Sequence, residues 1–304
     1  MNMHINRTDL KDIQGSILIH EHVFNLFPFR KKNKNYVYAI EKLHQAEEKG
    51  IEVIVDLTPY SKIYNYYDLI DSTNLKIVSC TGFYTGKYIL PKYKNCSESF
   101  LVDKMIKDIK FGVGKRKLKA SIIKMATNSI NLKEYEKKIF NAAIYVSNLF
   151  QIPVVLHAPK NTRKHFDYLI NNGMDPKRLL ISHLEKEISL EGFKKFQEDS
   201  LYIFEHNGNI QISEFYRKQK TYINLLWFVK NTLQSKYKYN LFLSSDFNWR
   251  WTKQEIIPKK NDGIEASYTY IFDSLINQQE IAFSLDELNQ IFKVNPLLFL
   301  KGNI

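Results

Sequence analysis

The sequence predicts an α/β fold, a (β/α)8 TIM barrel, on three observations. Eight short apolar runs rich in β-branched residues alternate with longer amphipathic segments. No linker rich in Pro, Gly or Ser divides the 304 residues, a length that one barrel domain spanning residues 1–304 would use almost entirely. Residues able to ligate a metal recur at the same end of several runs, where barrels of this kind carry their chemistry.

The expected strands are Ser16 to Glu21, Glu52 to Leu57, Lys76 to Gly82, Ala120 to Ala126, Pro153 to Leu156, Leu179 to Ser182, Leu201 to Glu205 and Asn240 to Ser245. Their near-continuous apolar character suits a parallel sheet covered by helices. Tyr36 to Lys49 carries Val37, Ile40, Leu43 and Ala46 at helical spacing and stops before Gly50, a helix-ending signal. Leu132 to Phe150 is patterned around Phe140, Ala143, Ile144 and Leu149. Thr162 to Asn172 ends at Gly173, and Gln219 to Leu233 shows Leu225, Phe228 and Val229. From Leu285 onward one more helix is expected, then Asn295-Pro296 opening a short terminal one.

Composition narrows the setting. No apolar run is long enough to span a membrane, and Met1 to Arg7 has no apolar core of a signal peptide. Cys80 and Cys96 lack CxxC spacing, which points to a reducing cytoplasm and away from a thiolate metal site. The net charge of +12 fits an anionic substrate, a nucleic acid or simple compositional drift. The densest basic run, Lys115-Arg116-Lys117, reads as a solvated loop face.

The first run leads into His20-Glu21-His22. Alternation along a strand puts residues two apart on one face, so His20 and His22 should project together. Paired neutral imidazoles suit a divalent transition metal, although HxH alone is equally two half-exposed histidines. Strand four carries Lys124 among Ile122, Ile123, Met125 and Ala126; strand five ends in His157, strand six in His183 and strand eight in Asp246. An unpaired buried ammonium is costly, so Lys124 needs either a carboxylate partner or a depressed pKa. A neutral amine can add carbon dioxide, giving a carbamate with two oxygens able to bridge metals. His157 and His183, each taken singly, read as core histidines bonded to backbone. A buried Asp246 would need a strong partner, and a cation supplies one.

Together these residues resemble the phosphotriesterase-like family of the amidohydrolase superfamily. The likeness runs from Gly15-Ser16-Ile17-Leu18-Ile19-His20-Glu21-His22 to Asn295-Pro296. It includes Val55-Asp56-Leu57-Thr58, Cys80-Thr81-Gly82-Phe83-Tyr84 and Ile123-Lys124-Met125-Ala126-Thr127. It implies an amidohydrolase-type barrel holding two divalent ions, Zn²⁺ with Mn²⁺ or Co²⁺ as alternatives. By the resemblance His20, His22 and Asp246 hold one ion, and His157 with His183 the other. Carboxylated Lys124 and an attacking hydroxide bridge them, and Asp246 shuttles the proton. Alternation sends Glu21 away from the metals.

The resemblance also implies a lactone substrate, met by Tyr84 on strand three, with a phosphorylated sugar lactone as one subclass. Trp249, Arg250, Trp251 and Lys253 in the eighth loop would set specificity, and Arg250, Lys253 or Lys218 would receive a phosphate. Two departures stand out. Strand seven is expected to end in Phe204-Glu205-His206-Asn207-Gly208, where many relatives carry an aspartate. The segment from Phe247 to Ile264 is short beside that of organophosphate hydrolases. A phosphotriester or phosphate ester is therefore the alternative substrate. A TatD-like nuclease is more distant, because a glutamate would stand where Lys124 does, and a metal-free scaffold barrel is more distant still. The expected partners are a small polar or anionic molecule and a second copy in a homodimer, with neither nucleic acid nor membrane.

Overall fold

In the computed structural model, residues 10, 12–23, 34–59, 71–113, 117–213, 221–247, 249–251, 256–258, 260–261, 264–265, 267–276 and 280–302 are described. Eight strands form one sheet: β1 (Ser16–Glu21), β2 (Ile51–Asp56), β3 (Lys76–Gly82), β4 (Ala120–Ala126), β5 (Val154–His157), β6 (Leu179–Ser182), β7 (Asn209–Ile212) and β8 (Leu241–Leu243). Each pairs in parallel with the next. The seam between β8 and β1 is bridged just past the strand ends. The Asp246 amide donates to the His20 carbonyl at 3.2 Å, and the His22 amide to the Phe247 carbonyl at 3.1 Å. Helices lie between the strands, so the architecture is a (β/α)8 barrel.

Strand alternation divides the core in two. Ile17, Ile19, Val53, Val55, Val78, Ile122, Val155, Leu180 and Phe242 fill the barrel with Leu10, Ile13, Phe299 and Leu300. Leu18, Ile54, Ile77, Ile123, Val154, Ile181, Ile210 and Leu243 turn outward against the helices. Two positions beyond the inward Ile122 and Val155 stand Lys124 and His157, which therefore enter the barrel at its C-terminal mouth. Among the described residues, no helix is long and apolar enough to cross a membrane.

Strand seven corrects the sequence reading. Leu201 to Glu205 is the last stretch of helix Phe193–Glu205, whose buried Phe196, Asp199, Ser200, Ile203 and Phe204 follow helical spacing. The actual strand is Asn209–Ile212, so His206 is an exposed residue of the connecting turn and no part of the barrel mouth. Two positions assigned to apolar helix faces are also corrected: Val37 and Leu149 are 67% and 54% exposed.

β1 departs from simple alternation as well. Between Leu18 and Glu21 it advances three residues while β2 advances two, from Ile54 to Asp56, which is a β-bulge. Ile17 and Ile19 already face the interior, yet His20 also reaches the mouth, so the bulge re-aims it.

Gly82 allows β3 to approach β4. Its φ is +106°, and a Cβ there would run into the Lys124 carbonyl oxygen, which accepts the Phe83 amide at 2.8 Å.

Candidate metal centre

The barrel mouth gathers the side chains of β1, β4, β5, β6 and the turn after β8. Asp246 is the hub. Its Oδ1 lies 3.6 Å from His20 Nε2 and 3.2 Å from His22 Nε2, and its Oδ2 lies 3.5 Å from His183 Nε2. His20, His183 and Asp246 offer ligand atoms all within 4.8 Å of one another. The His157 ring lies 4.9 Å from that of His183. Lys124 Nζ is 3.2 Å from His20 Nε2. All six residues proposed from the sequence thus meet at one place.

Two of these candidate ligands have unusual backbone conformations. His183 and Asp246 have φ of 67° and 47°, in the left-handed region that side-chain-bearing residues seldom adopt. Glu21 supports the second. Its carboxylate accepts from the Ser244 hydroxyl and Ser245 amide, both at 2.7 Å, and from the Phe247 amide at 2.6 Å. The clamp thus grips both neighbours of Asp246 while Glu21 stays out of the ligand cluster.

Burial sets the protonation states. Burial, then the nearby Lys124, holds the His20 imidazole well below its ordinary pKa. His157 is held down by burial and then His183, and His183 by burial and then Lys186. These three rings are neutral, the form that binds metals. Burial pushes the Asp246 carboxyl upward, but His183, His22 and His20 outweigh it and hold it well below the usual range. Burial lowers the Lys124 ammonium to about 7, against the raising effect of Asp246. Among the described residues Lys124 has no carboxylate within ion-pair distance, so the partner that a buried ammonium requires is missing.

Three of the rings also have a partner at Nδ1. His20 Nδ1 lies 2.9 Å from Gln211 Oε1, His22 Nδ1 3.1 Å from Thr58 Oγ1, and His183 Nδ1 2.9 Å from Ser213 Oγ. With those bonds made at Nδ1, the Nε2 atoms converge on Asp246. Neutral imidazole nitrogens and a carboxylate are donors that divalent transition metals take. Gln211 and Ser213 escaped the sequence reading because strand seven was misplaced. The signal was present in Asn209-Ile210-Gln211-Ile212, where polar residues alternate with apolar ones.

Tyr84 stands at the edge of the cluster, its ring 5.5 Å from that of His157 and 6.5 Å from that of His22. Burial, then Asp246, pushes its phenol upward, so the hydroxyl stays protonated. Trp249 to Trp251 form a short strand antiparallel to Ile256–Pro258, with Arg250 opposite Ile257. Lys253, Lys218, Lys115 and Arg116 lie outside the described residues, as do the side chains of Trp249, Arg250 and Trp251.

Comparisons with known proteins identify the family. Residues 3–300 match the phosphotriesterase family. The aryldialkylphosphatase of Saccharolobus solfataricus is 26% identical over 95% of each chain. The phosphotriesterase homology protein of Escherichia coli is 23% identical over 95% of this chain and 99% of its own. A crystal structure of a variant phosphotriesterase-like lactonase from Deinococcus radiodurans superposes with a TM-score of 0.76 at 21% identity, covering 97% of both chains. The chain belongs to the phosphotriesterase family and is a metal-dependent hydrolase of that type.

Proposed function

We propose that the protein hydrolyses a lactone at a two-metal centre held by His20, His22, Lys124, His157, His183 and Asp246, with Lys124 carboxylated. The observation that carries this reading is the position of Tyr84. Its ring lies against His22 and His157, one imidazole from each half of the proposed ligand set, and its hydroxyl stays protonated. A neutral phenol there suits a lactone oxygen, as a hydrogen-bond donor that adds no charge.

When bound, the cations lower the pKa of a water molecule and polarise the scissile bond. Asp246, held ionised by three imidazoles, accepts the proton released as water adds to the lactone carbonyl. It returns that proton to the ring oxygen as the C–O bond breaks, leaving a hydroxy acid. Glu21 keeps Asp246 in place through the two amides beside it. Arg250, and Lys253 and Lys218 beyond the described residues, would receive a phosphate on a phosphorylated sugar lactone.

Support for the second reading, a phosphotriester substrate, comes from the Saccharolobus relative, which is named an aryldialkylphosphatase and matches nearly end to end. One experiment separates the two. Protein loaded with Zn²⁺ or Mn²⁺ is assayed on simple lactones, phosphorylated aldonolactones and aryl dialkyl phosphates. Preferred turnover of a lactone supports the first reading, and turnover of the phosphotriesters alone overturns it.

A further inference from the structure

Two of the histidines at the mouth are backed by the same three-part arrangement, built from different strands. On one side the Thr58 hydroxyl donates to Asp56 Oδ1 at 3.0 Å, and Thr58 Oγ1 itself lies 3.1 Å from His22 Nδ1. On the other, the Ser213 hydroxyl donates to Glu185 Oε1 at 3.0 Å, and its oxygen lies 2.9 Å from His183 Nδ1. Glu185 Oε1 also accepts the Ser213 amide at 3.0 Å, so that oxygen is an acceptor twice over. It stands 3.9 Å from His183 Nδ1, with the serine oxygen bridging the gap. Asp56, Thr58, Glu185 and Ser213 are all buried, so water does not compete for these bonds.

The chemistry of a hydroxyl gives the arrangement a direction. A hydroxyl has one proton, and here it is committed to the carboxylate. Its oxygen can then only accept from the imidazole, which places the ring proton on Nδ1 and the lone pair on Nε2. We infer that Asp56–Thr58 and Glu185–Ser213 are paired positioning relays that lock His22 and His183 in the Nδ1–H tautomer, each presenting its Nε2 lone pair to a different metal. The assignment to different metals rests on the two-metal reading above. Thr58 and Ser213 meet the cluster at the Nδ1 side of His22 and His183. Direct carboxylate–histidine pairs do this work in other metal sites, and losing such partners weakens metal binding by about 10- to 100-fold. The inserted hydroxyl does the same at one remove, with Glu185 Oε1 3.9 Å from His183 Nδ1.

The Asp246 carboxylate lies 3.2 Å from His22 Nε2 and 3.5 Å from His183 Nε2, and competes for the ring proton when no metal is bound. The decisive measurement is therefore the ring ¹⁵N NMR spectrum of metal-free Asp246→Ala protein labelled at histidine, with His22 and His183 assigned by substitution in that background. Both are expected as Nδ1–H, the minor tautomer of free histidine. Thr58→Val should release His22 alone toward Nε2–H, and Ser213→Ala should release His183 alone. By chelator competition with Zn²⁺, each variant should weaken one of two bound equivalents by about 10- to 100-fold. Thr58→Ser and Ser213→Thr keep a hydroxyl and should restore both readouts, which a role in packing alone would not require. Circular dichroism checks that each variant is folded. Nε2–H at His22 or His183 in metal-free Asp246→Ala protein overturns the relay at that residue, whether or not the wild type binds metal. Equal losses in Thr58→Val and Thr58→Ser likewise overturn it. Both Nδ1–H tautomers in Asp246→Ala together with no uptake of Zn²⁺ by the wild type would support the relays and overturn the two-metal reading instead.

Discussion

Lys124 Nζ lies 3.2 Å from His20 Nε2, amine against imidazole with no carboxylate in ion-pair reach among the described residues. A lysine so placed cannot stay charged without cost, and burial lowers its pKa to about 7. Because the unfolded chain keeps a lysine near 10.5, the folded metal-free state binds fewer protons between about 7 and 10.5. Its stability should therefore rise with pH across that window. Thermal melts of the metal-free wild type and of Lys124→Met should diverge there, with the wild type gaining and the variant flat. Parallel curves would mean that Lys124 titrates normally.

The same neutral amine is expected to take up carbon dioxide. With ¹³C-labelled bicarbonate, a carbamate carbon signal should grow as pH rises through about 7 and be absent in Lys124→Met. Absence of that signal in metal-loaded wild type would remove the bridging carbamate from the centre.

Glu21 accepts one hydroxyl and two amides, a pattern that needs both oxygens as acceptors. Glu21→Gln turns one end into a donor facing a backbone N–H. The variant should lose about 1–3 kcal/mol in urea unfolding. It should also bind metal more weakly, because Asp246 sits between the two clamped amides. Unchanged metal affinity with reduced stability would confine Glu21 to holding the seam.

Gly82→Ala should be among the most damaging single-methyl changes in the barrel. The added Cβ meets the Lys124 carbonyl oxygen, and φ of +106° is foreign to alanine. Strain of about 1–3 kcal/mol is expected, read as a lower urea midpoint, with β4 displaced enough to reduce metal content.

Tyr84→Phe keeps the ring against His157 and removes the hydroxyl. For a lactone substrate kcat/KM should fall about tenfold, the worth of one hydrogen bond, with metal content unchanged. A variant as active as the wild type would leave Tyr84 a purely apolar wall of the mouth.

Most of the barrel was legible because buried parallel strands are written as short β-branched runs, and the ligands sit one alternation beyond them, as Lys124 does after Ile122. Leu201-Tyr202-Ile203-Phe204 deceived because the final turn of an amphipathic helix, read over four residues, has the same composition as a strand. The true seventh strand was disguised by its own function, since Asn209 and Gln211 put polar groups into the interior. Relay residues such as Ser213 and Glu185 carry no local pattern, and only the folded register brings them to His183. The bulge in β1 was equally silent. It exists as a mismatch between two strands, not as a feature of either.

The clamp between Glu21 and the turn after β8 also dictates an order of events. Glu21 leaves the ribosome early, yet the amides it grips lie 224 and 226 residues further along the chain. Such remote contacts close late in folding. Until β8 is in place, His20 and His22 have neither Asp246 nor a fixed seam beside them. The centre can therefore be complete only once β8 has joined β1, and metal uptake should report completion of the barrel.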